Sequence, residues 1–216
     1  MTDTNTAMGV HVKGNELKRI LRAAVLATCS DRAWMNGVHF SCRDGRLRVS
    51  ATNGIWAFDY HTSIPCPEIG SVFLDVECVK KLAKVCPGRA NDETKVALIF
   101  DGNTVSPIST AGRVRETYTR VDVVFPELDN VMSVVNAPVT HIGLQDKYMQ
   151  AVGEAFMILQ AREVKLSFSG EMGLVTMTAD DIPGLRVGLM SFIMQSEKKT
   201  RKDRSKAEKP ISGEEK

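Results

Sequence analysis

The sequence predicts an α+β fold in which one strand-helix-three-strand unit is repeated three times. Three amphipathic segments carry the helical part of the pattern: KGNELKRILRAAVLATC (13–29), DVECVKKLAKVC (75–86) and LQDKYMQAVGEAFMILQ (144–160). After each come residues that alternate apolar and polar, interrupted by a Gly-bearing turn at Asp44-Gly45, at Asp101-Gly102 and between Ser169 and Gly173. The pattern repeats; the residue identities do not.

In the first unit (9–65), Leu17, Ile20, Leu21 and Ala24 fall on one helical stripe, and Asn15, Lys18, Arg19 and Arg22 fall opposite. The strands that follow alternate through Leu47, Val49 and Ala51, turn at Asn53-Gly54, and alternate again through Trp56, Phe58 and Tyr60. Asn-Gly tolerates positive φ, so this is a hairpin, and Trp56, just past the turn, is expected to be exposed. In the second unit (71–131), Val76, Val79, Leu82 and Ala83 form the apolar stripe, with Glu77, Lys80, Lys81 and Lys84 opposite. The third unit (138–195) lacks the basic face, because Asp146 and Glu154 outweigh Lys147. Units one and two are expected to form one domain (9–131), the third a half-domain, and residues 196–216 a disordered basic tail.

Two helices at equivalent repeat positions carry mainly one sign of charge, without the alternating Glu-Lys pairs of a self-compensated face. Any one such stripe is most often solvated; two together point to phosphate contact, with Lys18, Arg19, Arg22, Lys80, Lys81 and Lys84 facing duplex DNA without sequence preference. From Ser196 onward eight Lys/Arg stand against five Asp/Glu, which leaves the rest of the chain close to neutral. That tail is either a solubilising extension or a tether for phosphate backbone.

The 216 residues, 43% hydrophobic and 25% charged, suit a soluble globular protein with a substantial core. No apolar run approaches the roughly 20 residues of a spanning helix, and MTDTNTAMG lacks the marks of a signal peptide, so a cytoplasmic protein without membrane contact is expected. The five cysteines are odd in number and widely spaced, which suits reduced core thiols. His11, His39, His61 and His141 do not cluster at metal-ligand spacing, and no Walker loop, GxSxG or dinucleotide fingerprint is present. The TADD at 178–181 reads as a turn rather than a nuclease site. No catalysis, metal or cofactor is expected.

The runs DRAWMNGVHFSCRDGRLRVSATNGIWAF (31–58), VFLDVECVKKLAKV (72–85) and FPELDNVM (125–132) resemble the middle domain of the bacterial DNA polymerase III beta sliding clamp. There an LNG precedes a strand, ATDGHRLA follows it, and FPDY with a later apolar residue closes the domain. IGLQDKYMQAVGEAF (142–156), VKLSFSGEMGLVTMTADD (164–181) and GLRVGLMSFIMQ (184–195) resemble the last half of the clamp's C-terminal domain. The resemblance covers nearly all of residues 9–195 and rests on the order and spacing of motifs more than on their letters. It implies the DNA-clamp fold, a non-catalytic processivity role, and an apolar cleft that grips short linear motifs of polymerases, clamp loaders and repair proteins. Carried over by position, the cleft comprises Met35, Thr52, Gly54, Ile55, Trp56, Ala57, Pro126, Val131, Phe192 and Met194.

The departures are Asn53 for Asp, Ile55 for His, Trp56 for Arg, Ala57 for Leu, and Gln195 where the family has Pro. A clamp subunit has three domains of two units each, so this chain matches half of the units. A ring of twelve units would take four copies. The alternative is a clamp-derived peptide-binding or regulatory protein, of phage or mobile-element type, that does not encircle DNA. With an odd number of units, the helix from Tyr148 to Leu159 is expected to lack a partner in its own chain and to drive homo-oligomer formation.

Overall fold

The computed structural model describes residues 9–67, 70–87, 94–101, 104–109, 116–132, 142–169 and 173–191. Phe192, Met194, His141, Gly102 and the tail 196–216 lie outside the described residues. In chain order, β1 (Gly9–Lys13), α1 (Gly14–Val25), a 3-10 turn (Ala33–Met35), β2 (Gly37–Arg43), β3 (Arg46–Thr52) and β4 (Trp56–Pro65) form the first unit. Next come β5 (Ser71–Asp75), α2 (Val76–Val85), β6 (Lys95–Asp101), β7 (Thr104–Ser109), β8 (Tyr118–Thr119) and a one-turn helix, α3 (Leu128–Val131). The third unit holds α4 (Asp146–Leu159), β9 (Lys165–Phe168), β10 (Leu174–Thr178) and β11 (Leu185–Met190).

Local chemistry explains the element ends. Asp75 caps α2: its Oδ1 accepts the amides of Glu77 at 2.9 Å and Cys78 at 3.0 Å, satisfying N–H groups that the helix itself cannot. The β2–β3 hairpin turns through Asp44 and Gly45, both at positive φ (52° and 70°), as a tight two-residue turn requires. At the second turn Gly54 has φ 82°, and Oδ1 of Asn53 accepts the amides of Ile55 and Trp56 at 3.0 and 2.9 Å. An added Cβ on Gly54 would lie 2.7 Å from Met35 Cε, so the turn needs glycine for its backbone and for Met35 beneath it.

The first two units are interlocked by strand exchange. β1, which leads into α1, pairs with β6 after α2; β5, which leads into α2, pairs with β2 after α1. The result is a four-stranded sheet, β1-β6-β7-β8, and a seven-stranded sheet, β5-β2-β3-β4-β11-β10-β9. The larger sheet runs on from the first unit into the third through antiparallel pairing of β4 with β11.

One main core lies under the helices and takes in Leu17, Ile20 and Leu21 of α1, Val79 and Leu82 of α2, and Val152, Ala155 and Phe156 of α4. Helix α1 packs against both α2 and α4. The expectation that the third helix would lack a partner is therefore corrected: the β4–β11 pairing carries α4 to the flank of α1, where its apolar stripe is buried. The thiols are free, with Cys66 and Cys86 buried and Cys29, Cys42 and Cys78 half-buried.

The expectation of an exposed Trp56 is also corrected. Trp56 is 2% exposed and belongs to the main core, because it begins the alternation that turns Trp56 and Phe58 toward the helices and Ala57 and Asp59 toward the opposite face of the sheet. Replacing Trp56 by Ala should lower unfolding stability by about 3–5 kcal/mol, as for any large core aromatic. A urea titration reads this directly, and a loss under about 1 kcal/mol would contradict the assigned burial.

Candidate functional site

The face of the large sheet opposite the helices is polar at its centre. Register places Phe73, His39, Ser50, Asp59 and Arg186 in one row across β5, β2, β3, β4 and β11. In the neighbouring row Arg48 lies beside His61. Asp59 is fully buried and accepts from Arg48 Nε at 2.7 Å, Arg48 Nη2 at 3.0 Å, Ser50 Oγ at 2.8 Å and the guanidinium of Arg186, with His61 Nε2 at 3.3 Å. Burial alone would raise its pKa, but the hydrogen bonds from His61, Arg48 and Ser50 and the Arg48 charge hold it far below the ordinary carboxylate value.

Residues 121–132 cross this face as a strap. The Val121 amide donates to Phe73 O at 2.8 Å, and the Phe125 ring stacks on His39 with centroids 4.7 Å apart. Asp129 then accepts from Arg43, Arg48 and Arg186. Beyond it Leu128 and Met132 bury against Ala57, with Phe125 and Leu174 beside them. Small residues permit the approach: a Cβ on Gly188 would lie 3.1 Å from Met132 Cε and 3.0 Å from Leu174 Cδ2. Asp59, His61 and Asp129 bring potential metal-ligand atoms within 4.8 Å of one another. Three guanidiniums already occupy those carboxylate oxygens, so a cation would have to displace arginines, and the group is better described as an ion-pair cluster.

Between the strap and the sheet opens an apolar cleft of about 200 Å³. Of the residues anticipated from sequence, Thr52, Gly54, Ile55, Trp56, Ala57, Pro126 and Val131 line it. Met35 does not; it is buried beneath Gly54. Phe192 and Met194 lie outside the described residues. The anticipated set omitted Trp34, Leu128, Met132, Leu174, Gly188 and Met190, which complete the walls. The FPELDNVM run was the available signal for Leu128 and Met132 and the DRAWMNG run for Trp34, whereas nothing in the spacing of β10 and β11 marks Leu174, Gly188 and Met190. Trp56 borders the cleft from the core side, and Val131, 56% exposed, is its accessible apolar side chain on the strap.

On the opposite side of the sheet, α1, α2 and α4 converge on a groove of about 450 Å³. Lys18, Arg22, Lys80 and Lys84 surround an apolar floor of Val25, Leu26, Ala83 and Ile158, with Glu154 from α4. Four of the six anticipated cations thus meet. Arg19 instead donates to Gln160 Oε1 at the end of α4, and Lys81 is exposed outside the groove. Lys80 pairs with Glu77 at 2.8 Å, and Lys18 reaches Cys86 O at 3.4 Å. No helix among the described residues is long and apolar enough to cross a membrane.

His39, under Phe125, titrates far from its ordinary 6.5: burial, then the nearby Arg48 charge, push it down to about 4. The neutral form is favoured in the fold, so its contribution is present above about 6.5 and is lost as pH falls from there through about 4. Asp59, with its depressed value, loses its contribution only at lower pH, below the ordinary carboxylate range. Stability should therefore drop by at most about 3 kcal/mol between pH 7 and pH 4, and His39→Gln should flatten that limb in denaturant titrations. An equally steep limb in the variant would assign the loss to another group.

No protein-family model matches this sequence, and a search of curated proteins found no match. Solved structures do match. The DNA polymerase III beta subunit of Thermotoga maritima superposes with a TM-score of 0.68 at 14% identity, over 89% of this chain and 67% of that one. The DNA polymerase sliding clamp of Pseudomonas aeruginosa, solved with a ligand, gives 0.68 at 12% identity, over 86% and 66%. That of Bacillus subtilis gives 0.67 at 12% identity, over 89% and 66%. The chain spans about two-thirds of the length of these clamps. Over most of its own length, then, this protein has the fold of the DNA polymerase III beta sliding clamp.

Proposed function

We propose that the protein is a non-catalytic, clamp-like tethering factor that holds short linear motifs of a DNA polymerase, a clamp loader or another replication or repair partner in the apolar cleft. The observation that carries this reading is the convergence of three distant segments on one small apolar cleft: the 52–57 turn, the strap residues 126–132, and Gly188 to Met190 on β11. A cleft of this size accepts one or two apolar side chains, each contributing roughly 1.5–3 kcal/mol. Phe192 and Met194 are proposed to extend it. Two methionines already on its walls, Met132 and Met190, suit an adaptable pocket.

On the helical side the reading assigns non-specific duplex contact to Lys18, Arg22, Lys80 and Lys84, with Arg19 and Lys81 flanking. Cations around a concave face neutralise phosphates without reading bases. A second reading is a peptide-binding regulator that does not encircle DNA, which would use the same cleft. A ring would require self-association, whereas a regulator would not. The support for self-association is now β9, an edge strand of the large sheet that exposes Leu166 (46%). A monomer by light scattering would favour the regulator.

A labelled peptide with a Gln and spaced Leu/Phe anchors should bind with micromolar affinity at best, about −8 kcal/mol or weaker. Val131→Glu should weaken it at least tenfold while changing stability by no more than about 0.5 kcal/mol, since the side chain is half-exposed. Equal affinity in the two proteins would remove the cleft from the proposal.

Duplex DNA binding should be weak and should fall steeply with salt. Replacing Lys18, Arg22, Lys80 and Lys84 together by Gln should reduce the slope of log K against log salt by up to about four. An unchanged slope, lost instead on deletion of residues 196–216, would move the contact to the tail.

A further inference from the structure

We propose that Asp129 is a positioning residue: a latch that holds the strap 121–132 against the sheet and so builds one wall of the cleft, although it lines no part of that cleft itself. The inference rests on the reading of the cleft as a peptide site, and it names what keeps that site formed.

The strap also meets the sheet through the Val121–Phe73 hydrogen bond, the stack of Phe125 on His39 and the burial of Leu128 and Met132, none of which carries charge. Its only helix, α3, is a single turn, closed by Asn130 N to Glu127 O at 3.3 Å and Met132 N to Leu128 O at 2.8 Å. One turn does not persist alone, because nucleation fixes several dihedrals for one hydrogen bond. Leu128 and Met132 are buried against Ala57 with Phe125 and Leu174 beside them, an apolar contact that is non-directional and does not by itself fix where the strap sits. Asp129 is the charged group between them, and its carboxylate is tied to three strands at once. Oδ2 accepts from Arg43 of β2 and from Arg48 of β3 at 3.0 Å, while Oδ1 accepts from Arg186 of β11.

Asp59 prepares this receptor. It orients Arg48 through two nitrogens and Arg186 through a third, so both guanidiniums are positioned before the strap arrives. Asp59 carries one negative charge against three guanidiniums, which leaves a positive surplus on the face that the strap covers. Asp129 supplies the second. With Asn at 129 the same shape would meet repelling cations with no countercharge, and the strap would lose its ionic attachment while Asp59 stayed paired. Because Arg186 and the cleft residues Gly188 and Met190 share β11, release at Asp129 would separate the cleft's two walls.

The test combines hydrogen exchange with peptide titration on the full chain and on Asp129→Asn, Asp129→Glu and Arg43→Gln. In Asp129→Asn, exchange at the Val121, Asn130 and Met132 amides should rise at least tenfold while β3, β4 and α1 keep their protection. Affinity for the labelled Gln/Leu/Phe peptide should fall at least tenfold. Asp129→Glu, which keeps the charge, should stay within threefold of wild type in both readouts. Arg43→Gln removes a half-exposed partner, so it should fold and show a smaller change in the same direction. Unchanged strap exchange in both Asp129→Asn and Arg43→Gln overturns the latch, and so does a uniform rise across the sheet, which is the mark of a merely structural role. Faster strap exchange with unchanged peptide affinity overturns the positioning claim. If the wild type binds no peptide, the functional reading falls, and the exchange data alone decide whether Asp129 holds the wall.

Discussion

The antiparallel pairing of β4 with β11 is the constraint on which both faces of the molecule depend. It joins a strand of the first unit to one more than a hundred residues later, in a register that sets Arg186 beside Asp59, Gly188 beside Ala57 and Leu189 beside Trp56. Side chains alternate along each strand, so a slip of one residue would push Arg186 into the core and Leu189 out of it. Register is thus held from two sides: Val187 and Leu189 by burial under the helices, Arg186 by a fully buried carboxylate.

From that one pairing the two candidate surfaces follow together. On the helical side it brings α4 beside α1, so that Glu154 and Ile158 complete the groove begun by α1 and α2. On the other side it extends the floor under the strap from Ala57 to Gly188 and Leu174. The buried Arg48–Asp59 pair sits between the two surfaces. Loss of one partner in such a pair costs roughly 3–5 kcal/mol, because the other charge is stranded away from water.

Much of this was legible in the chain. The helix stripes of Leu17, Ile20 and Leu21 and of Val79 and Leu82 point inward as their spacing predicts, and the turns at Gly45 and Gly54 stand at positive φ. The order of motifs resembling the sliding clamp was matched by the fold of solved clamps, at identities of 11–14% where letters alone carry little. Seven anticipated cleft residues meet in one pocket. Trp56 was misjudged because proximity to a turn suggests exposure, whereas its phase in β4 decides burial. Helix α4 was misjudged because a count of units within the chain cannot reveal which helix a later strand pairing will bring alongside.

What the sequence by itself determined is local: which residues turn, which stripe of each helix is apolar, where Asp75 caps and where Asn53-Gly54 reverses the chain. These depend on periods of two and 3.6 residues and on side chains within a few positions of one another. The strand exchange between the first two units, the run of one sheet into the third, and the meeting of Arg43, Arg48, Asp59, Asp129 and Arg186 were decided only by tertiary structure. Taken alone, each of those charges reads as an ordinary polar position on a strand or loop. They become one cluster because non-local pairing and burial bring four strands and the strap together, and the attraction between charges separated by up to 143 positions in sequence acts only once that pairing has formed.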